Sequence, residues 1–194
     1  MSNSYLSSSL TFHSDKITTK LEEFGEEEVI IMMDWEHPAM SASAAYVTEG
    51  GGDILEIGFG MGISAGYIQS HSVSSHTIIE PHRQMVEKAD EWSNGKSNVT
   101  IISQSWADVT GSLSTYDGIF YDTSFDDKGN LFSSSLSELI KTGTKLSVFN
   151  SYSTETNDHN IAMNYKQINV STPNSASQYF PSGSTTYYMP MKEF

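Results

Sequence analysis

Three glycines spaced two apart, Gly58, Gly60 and Gly62, stand in the segment Leu55-Glu56-Ile57-Gly58-Phe59-Gly60-Met61-Gly62, between a short apolar run and a helical one. Glycine lets a chain turn sharply out of a strand and lets a ligand come close to the backbone. A helix that starts just behind such a loop offers free N–H groups and positive partial charge. Glu80 follows 22 positions after Gly58, at the end of the next apolar run. An acid there is placed to accept hydrogen bonds from both hydroxyls of a ribose. Loop and acid suit NAD and S-adenosylmethionine alike, and two details favour the second. The dinucleotide pattern asks for glycine where Ile63 stands, and Trp106-Ala107-Asp108 follows a third apolar run. Asp108 could accept from an adenine amino group, although a surface or helix-capping acid would look the same.

These residues need a scaffold that brings strand ends together, and the chain offers one. After Gly50-Gly51-Gly52 the apolar runs alternate with helical ones. Strands are predicted at Asp53–Ile57, His76–Glu80, Asn98–Ile102, Tyr116–Asp122 and Lys145–Phe149, with helices over Ile63–Ser70, His82–Trp92 and Leu131–Lys141. Units of this length imply a parallel sheet covered on both faces. Tyr165–Ser171 and Thr185–Met189 add two strand candidates, for seven. Before the glycine triplet, apolar residues from Glu27 to Glu49 recur at helical spacing and are interrupted by Trp35-Glu36-His37-Pro38, which predicts two short helices as an N-terminal helical cover. Residues 1–26, rich in Ser, Thr and Glu, are expected to form an arm or lid, and residues 27–194 the catalytic domain.

Composition narrows the partners. The 194 residues suffice for one domain with a sizeable core. They carry 24 acids against 10 bases, a formal charge of −14, with Arg83 the one arginine and the nine lysines scattered. Nucleic acid and anionic membrane surfaces, which call for clustered cations, are not expected partners. The run Glu22, Glu23, Glu26, Glu27, Glu28 reads as a solvated face. There is no cysteine, so thiolate catalysis and disulfides are excluded. The six histidines show no ligand spacing, and no metal is expected. Without a secretory-type N-terminus or a long apolar run, a cytoplasmic protein is the expectation, as monomer or homodimer.

Several segments resemble the guanidinoacetate N-methyltransferase family. Met32-Met33-Asp34-Trp35-Glu36-His37-Pro38-Ala39-Met40 is similar to its WE-x-P-x-M entry, and Leu55 to Ala65 to its glycine motif with the Phe-Gly-Met core. Thr77–His82, Ser105–Val109, Tyr116–Thr123 and the closing Thr185–Met191 continue the likeness in order. Arginine δ-N-methyltransferases share much of this pattern. The resemblance implies a Rossmann-like class I methyltransferase with S-adenosylmethionine as cofactor and a small guanidino compound as acceptor, guanidinoacetate-like with a creatine-like product. Another small amine, an arginine side chain, or cofactor binding without turnover are the alternatives.

By that resemblance Glu36 and Asp122 hold the acceptor guanidinium and are the catalytic acids, with Met40, Thr123 and Asn150 also on the acceptor side. Gly58, Gly60 and Gly62 line the methionine half of the cofactor, Glu80 takes the ribose, and Trp106 and Asp108 the adenine, with Glu56, Phe59, Met61, Pro81 and Asp122 also cofactor-binding. The chemistry agrees. A guanidinium is planar and cationic, carboxylates bind it with charge-assisted hydrogen bonds, and one of them can accept a proton as the new N–C bond forms. The sequence departs from the family between Asn150 and Tyr165, where about fifteen residues replace a longer helix-bearing connection.

Overall fold

Asp53-Ile54-Leu55-Glu56-Ile57 forms the strand at the centre of the molecule, and from Ile54 to Ile57 every side chain is buried. A strand covered on both faces reads as a continuous apolar run, and the one acid in this run, Glu56, is matched by partners of its own. The computed structural model describes residues 3–25, 27–123 and 129–194. In chain order the elements are α1 (Asn3–Ser7), β1 (Thr11–Phe12), β2 (Lys16–Lys20), β3 (Glu28–Met33), α2 (His37–Val47), β4 (Asp53–Ile57), α3 (Ile63–Ser70), β5 (Ser75–Ile79), α4 (Arg83–Ser93), β6 (Val99–Ile102), α5 (Trp106–Val109), β7 (Tyr116–Tyr121), α6 (Gly129–Ser135), β8 (Ile140–Val148), β9 (Asn164–Asn169) and β10 (Thr186–Glu193).

The main sheet has seven strands in the order β6-β5-β4-β7-β8-β10-β9. Strands β4 to β8 run parallel, with Glu56 level with Ile78 on one side and Phe120 on the other. β10 is antiparallel to both of its neighbours, β8 and the edge strand β9. This is the doubly wound α/β fold that the alternation of elements predicted. One face carries a core of Leu55, Ile57, Ile79, Trp106, Tyr121, Phe132 and Leu146. The other packs α2, α3 and α4 through Met40, Ala44, Ile54, Ile68 and Phe120, and through Phe59, Ala65, Ile78 and Ala89. No helix among the described residues is long and apolar enough to cross a membrane.

The cover before β4 differs from the expected pair of helices. Glu28–Met33 is a strand, and it forms a three-stranded antiparallel sheet with β1 and β2. Val29-Ile30-Ile31-Met32-Met33 is apolar throughout, so periodicity cannot separate strand from helix. Pairing with β2, from Thr19↔Val29 to Lys16↔Met33, decides it. The second expected helix is present as α2, entered through a single 3-10 turn at Asp34–Glu36, with Pro38 in its first turn, where a missing N–H costs nothing. The arm and β3 share a small core of Tyr5, Leu10, Ile17, Leu21 and Ile31, closed by Met85 of α4. The helix expected to reach Lys141 ends earlier. A 3-10 turn at Leu136–Glu138 follows α6, and β8 already begins at Ile140. No helix lies between β8 and β9, so the shortened connection is a real departure. Met1, Ser2 and Glu26 of the arm lie outside the described residues, while Glu22, Glu23, Glu27 and Glu28 are exposed as expected.

Candidate active site

Strand order reverses between β4 and β7, and a crevice opens at the carboxyl ends of these strands, where open α/β sheets bind ligands. Each strand end contributes: Gly58, Phe59 and Gly60 after β4, Glu80 after β5, Asp122 and Thr123 after β7, and Phe149 and Ser151 after β8. The cover closes the other side with Tyr5, Ile30, Ile31, Met32 and Glu36, and Tyr179 comes from near the end of the chain.

The glycine loop is shaped by what lies over it. Gly58 has φ +96°, and a Cβ there would stand 1.8 Å from the carbonyl oxygen of Asp122. Only glycine lets the loop pass the end of β7 at that distance. Gly60 has φ +54°, and a Cβ would meet the Met32 sulfur at 2.5 Å. That same Sδ accepts the Met61 N–H at 3.2 Å, so the cover rests on the loop through one thioether.

Glu80 is buried, and each of its oxygens takes one backbone N–H: Oε2 from Phe59 at 3.1 Å and Oε1 from His82 at 2.8 Å. A carboxylate has about four acceptor sites, which leaves capacity for a pair of hydroxyls. Burial pushes its pKa up to about 7, with the Glu56 carboxylate adding to the rise and the two N–H donors opposing it. Glu36 is 2% exposed, and its Oε1 accepts from the Met33 N–H at 2.9 Å and the Tyr179 hydroxyl at 2.7 Å. Burial and then the Asp122 charge raise its pKa well above the usual carboxylate range. Asp122 is raised likewise, by burial and then by Glu56. These acids share one cleft, and no Lys, Arg or His is among the described residues that line it. Burial together disfavours the charged form of all three acids, and a nearby cation would favour it.

The structure therefore brings Glu36, Gly58, Phe59, Gly60, Glu80, Asp122 and Thr123 together, as the sequence suggested. Others stand elsewhere. Glu56 points away from the cleft beneath α3, accepting from the Ser64 hydroxyl, and its Oε2 stands 2.9 Å from His76 Nε2, an ion-pair separation without hydrogen-bond alignment. Met40 is fully buried on the core side of α2. Met61 lines a neighbouring groove with Phe12, Ile17 and Trp92, Gly62 caps α3, and Pro81 is partly buried after β5. Trp106 is buried in the core edge-on to Tyr121 and Phe132, and Asp108 is exposed on α5, outside the cleft lining. Asn150 is spent on the fold: its amide donates to the Thr154 and Tyr188 carbonyls and its Oδ1 accepts from Tyr152 N–H. Tyr5, Met32, Phe149, Ser151 and Tyr179 were not anticipated. Only the β8 end, after a strand already read, carried a usable signal.

Sheet order, switch-point cleft and glycine loop together define the class I methyltransferase fold, and S-adenosylmethionine is the cofactor of that class. Among solved structures the fold is similar to spermidine synthase from Thermotoga maritima (TM-score 0.61, 14% identity, 95% of this chain and 72% of that one). It is also similar to the N-methyltransferase NodS from Bradyrhizobium japonicum (TM-score 0.61, 9% identity, 81% and 94%). The sequence pattern of guanidinoacetate N-methyltransferase matches residues 7–157, and the chain belongs to that family. Curated relatives include protein arginine N-methyltransferase 2 of Aspergillus oryzae, 35% identical over 156 residues, covering 75% of this chain and 36% of that protein. The same-named protein of Aspergillus fumigatus is 34% identical over 159 residues, covering 77% and 36%. This chain thus spans about a third of the length of the curated relatives it matches.

Proposed function

We propose that this protein transfers a methyl group from S-adenosylmethionine to a nitrogen of a guanidino compound, of which guanidinoacetate is the simplest candidate. The observation that carries the reading is a cleft lined by Glu36, Glu80 and Asp122 and, among the described residues, by no basic side chain. Burying carboxylates without counterions is costly, and a cationic ligand at the acceptor end removes that cost.

The fit to the cofactor rests on the loop that a Cβ would fill at Gly58 and on the free acceptor capacity of Glu80. In this reading the loop holds the methionine half, Glu80 the ribose, and Asp108 the adenine, while Trp106 braces the turn that carries Asp108. When bound, the cofactor supplies an electrophilic methyl on a sulfonium. Glu36 and Asp122 grip the planar cation, fix one nitrogen towards that methyl and exclude water. Asp122 takes the proton that leaves the nitrogen as the N–C bond forms and the methyl–sulfur bond breaks, its electron pair remaining on the departing thioether sulfur. Positioning of this sort accounts for much of the rate in a bimolecular displacement.

The names of the curated relatives favour a second reading, in which the guanidinium belongs to an arginine side chain. Methyl transfer from labelled S-adenosylmethionine to guanidinoacetate, free arginine and arginine-containing peptides tests both. Labelled guanidinoacetate supports the first, and labelled peptide alone supports the second. No product with any of them would overturn the guanidino reading.

A further inference from the structure

Both hydrogen bonds to the Glu36 side chain land on Oε1, from the Met33 N–H and from the Tyr179 hydroxyl, which leaves Oε2 to the cleft that Glu36 lines. The direction of the second bond is set by chemistry. The Trp35 indole N–H, a donor only, reaches the same phenol oxygen at 2.8 Å. The one phenol proton is therefore directed to Glu36, in a chain Trp35 N–H to Tyr179 O–H to Glu36 Oε1. Tyr179 is itself held, stacked on Trp35 with centroids 6.2 Å apart and tilted against Phe149 at 6.4 Å. It follows the 3-10 turn Asn174–Gln178, 143 residues after Glu36 and outside the segment that matches the family pattern.

We propose that Tyr179 is a positioning residue for methyl transfer: it ties down Oε1 of Glu36 in one orientation, so that Oε2 is presented to a cationic acceptor. This rests on Glu36 being an acceptor acid. A carboxylate in an enclosed site can rotate about its last bond. Two donors on one oxygen stop that rotation, and both favour the ionised state that a guanidinium needs. The groups that face Glu36 all work the other way or are neutral. Asp122 after β7 repels its charge, and Tyr187 on β10 and Tyr179 itself are phenols whose own ionisation is pushed far up by burial, with Glu36 contributing. Within this arrangement the Tyr179 hydroxyl is a side-chain donor that holds the carboxylate.

The experiment is a carboxyl-carbon NMR titration of Glu36 in the parent and in Tyr179→Phe, with the resonance assigned by Glu36→Gln, alongside the pH profile of guanidino methylation. In Tyr179→Phe the Glu36 titration should move up by about one pH unit. The acidic limb of kcat/KM should follow it, KM for the guanidino acceptor should rise several-fold, and KM for S-adenosylmethionine should not change. Trp35→Phe, which leaves the phenol without its own donor, should shift Glu36 in the same direction by less, and serves if the first variant does not fold. An unmoved Glu36 titration overturns the proposal, and so does a KM rise without that movement, which would make Tyr179 a plain substrate contact. If the parent methylates no guanidino compound, the proposed function fails, and the titration alone then decides whether Tyr179 orients Glu36.

Discussion

The α-carbon of Gly58 lies against the carbonyl of Asp122, so closely that a Cβ would fall 1.8 Å from that oxygen. The turn out of β4 and the acid at the end of β7 are thus fixed relative to each other by backbone, not by side chains. Gly58→Ala must displace the Asp122 peptide as well as hold an alanine at φ +96°. Gly95, at φ +82° with nothing within 4 Å of a Cβ, isolates the second cost. Gly95→Ala should destabilise by about 1 kcal/mol and leave ligand binding unchanged. Gly58→Ala should cost more than that and abolish binding of S-adenosylhomocysteine, both readable by thermal unfolding with and without ligand.

Glu80→Ala should weaken S-adenosylhomocysteine by roughly 2–4 kcal/mol, the worth of two hydrogen bonds to a charged acceptor. Calorimetry that gives parent affinity in this variant would place the ribose elsewhere.

The same acid ties stability to pH. Its folded pKa lies near 7 against a reference of 4.5, so the folded state holds a proton that the unfolded chain has released. The stability this contributes is complete below pH 4.5 and is lost as pH rises through about 7, at up to about 1.4 kcal/mol per unit. Glu36 and Asp122, also raised, act in the same direction. The unliganded protein should therefore melt lower at pH 8 than at pH 5.5, and Glu80→Gln should flatten the slope. Binding of a guanidino cation near pH 6.5 should release protons, seen as a buffer-dependent heat in calorimetry.

Glu36→Gln should chiefly raise KM for the acceptor, because the amide turns N–H groups towards a ligand that only donates. Asp122→Asn should lower kcat by about 10²–10⁴-fold, the usual contribution of a positioned base. Cofactor affinity should hold in Glu36→Gln. Parent-like rates from both variants would refute the assignment of these acids.

The arm is joined to the rest of the molecule by Leu10 N–H to Gln84 Oε1 at 2.8 Å, by His82 Nε2 to the Ser8 carbonyl at 3.2 Å, by pairing of β2 with β3 and by its core against Met85. We expect it to act as a lid. Proteolysis should cut the segment before Glu28 more slowly in a complex with cofactor product and acceptor than in the free protein. Equal rates would show a cover that ligands do not touch.

What was legible in the sequence is what local signals encode. Asp53–Ile57, the glycine loop and Ile63–Ser70 stand where spacing and punctuation put them. Strand β3 was hidden because Val29 to Met33 fits either period, and its partner Lys16–Lys20 is a polar-flanked KITTK with little strand signal of its own. Met40 and Trp106 were read as lining but face the core, since sequence places a residue on a helix without fixing which way that helix turns. Tyr179 follows the polar stretch Pro173–Gln178, and its meaning lies in a partner 143 residues away.

The turn before Tyr179 also grips the cover directly. Gln178 accepts the Ile30 N–H at 2.8 Å and donates to the Glu28 carbonyl at 3.0 Å, across 148 and 150 residues. Contacts this distant in sequence close a long loop, and the entropy of that closure must be met before the contact stabilises anything. During synthesis, which proceeds from the N-terminus at roughly 5–20 residues per second, the glycine loop, Glu80 and Asp122 are all made before residue 178 exists. The half of the cleft around Glu80 can take shape before Tyr179 has been added, while Glu36 holds only the bond from its neighbour Met33 N–H. Chain order alone thus places the second brace of Glu36 after the residues of the cofactor side.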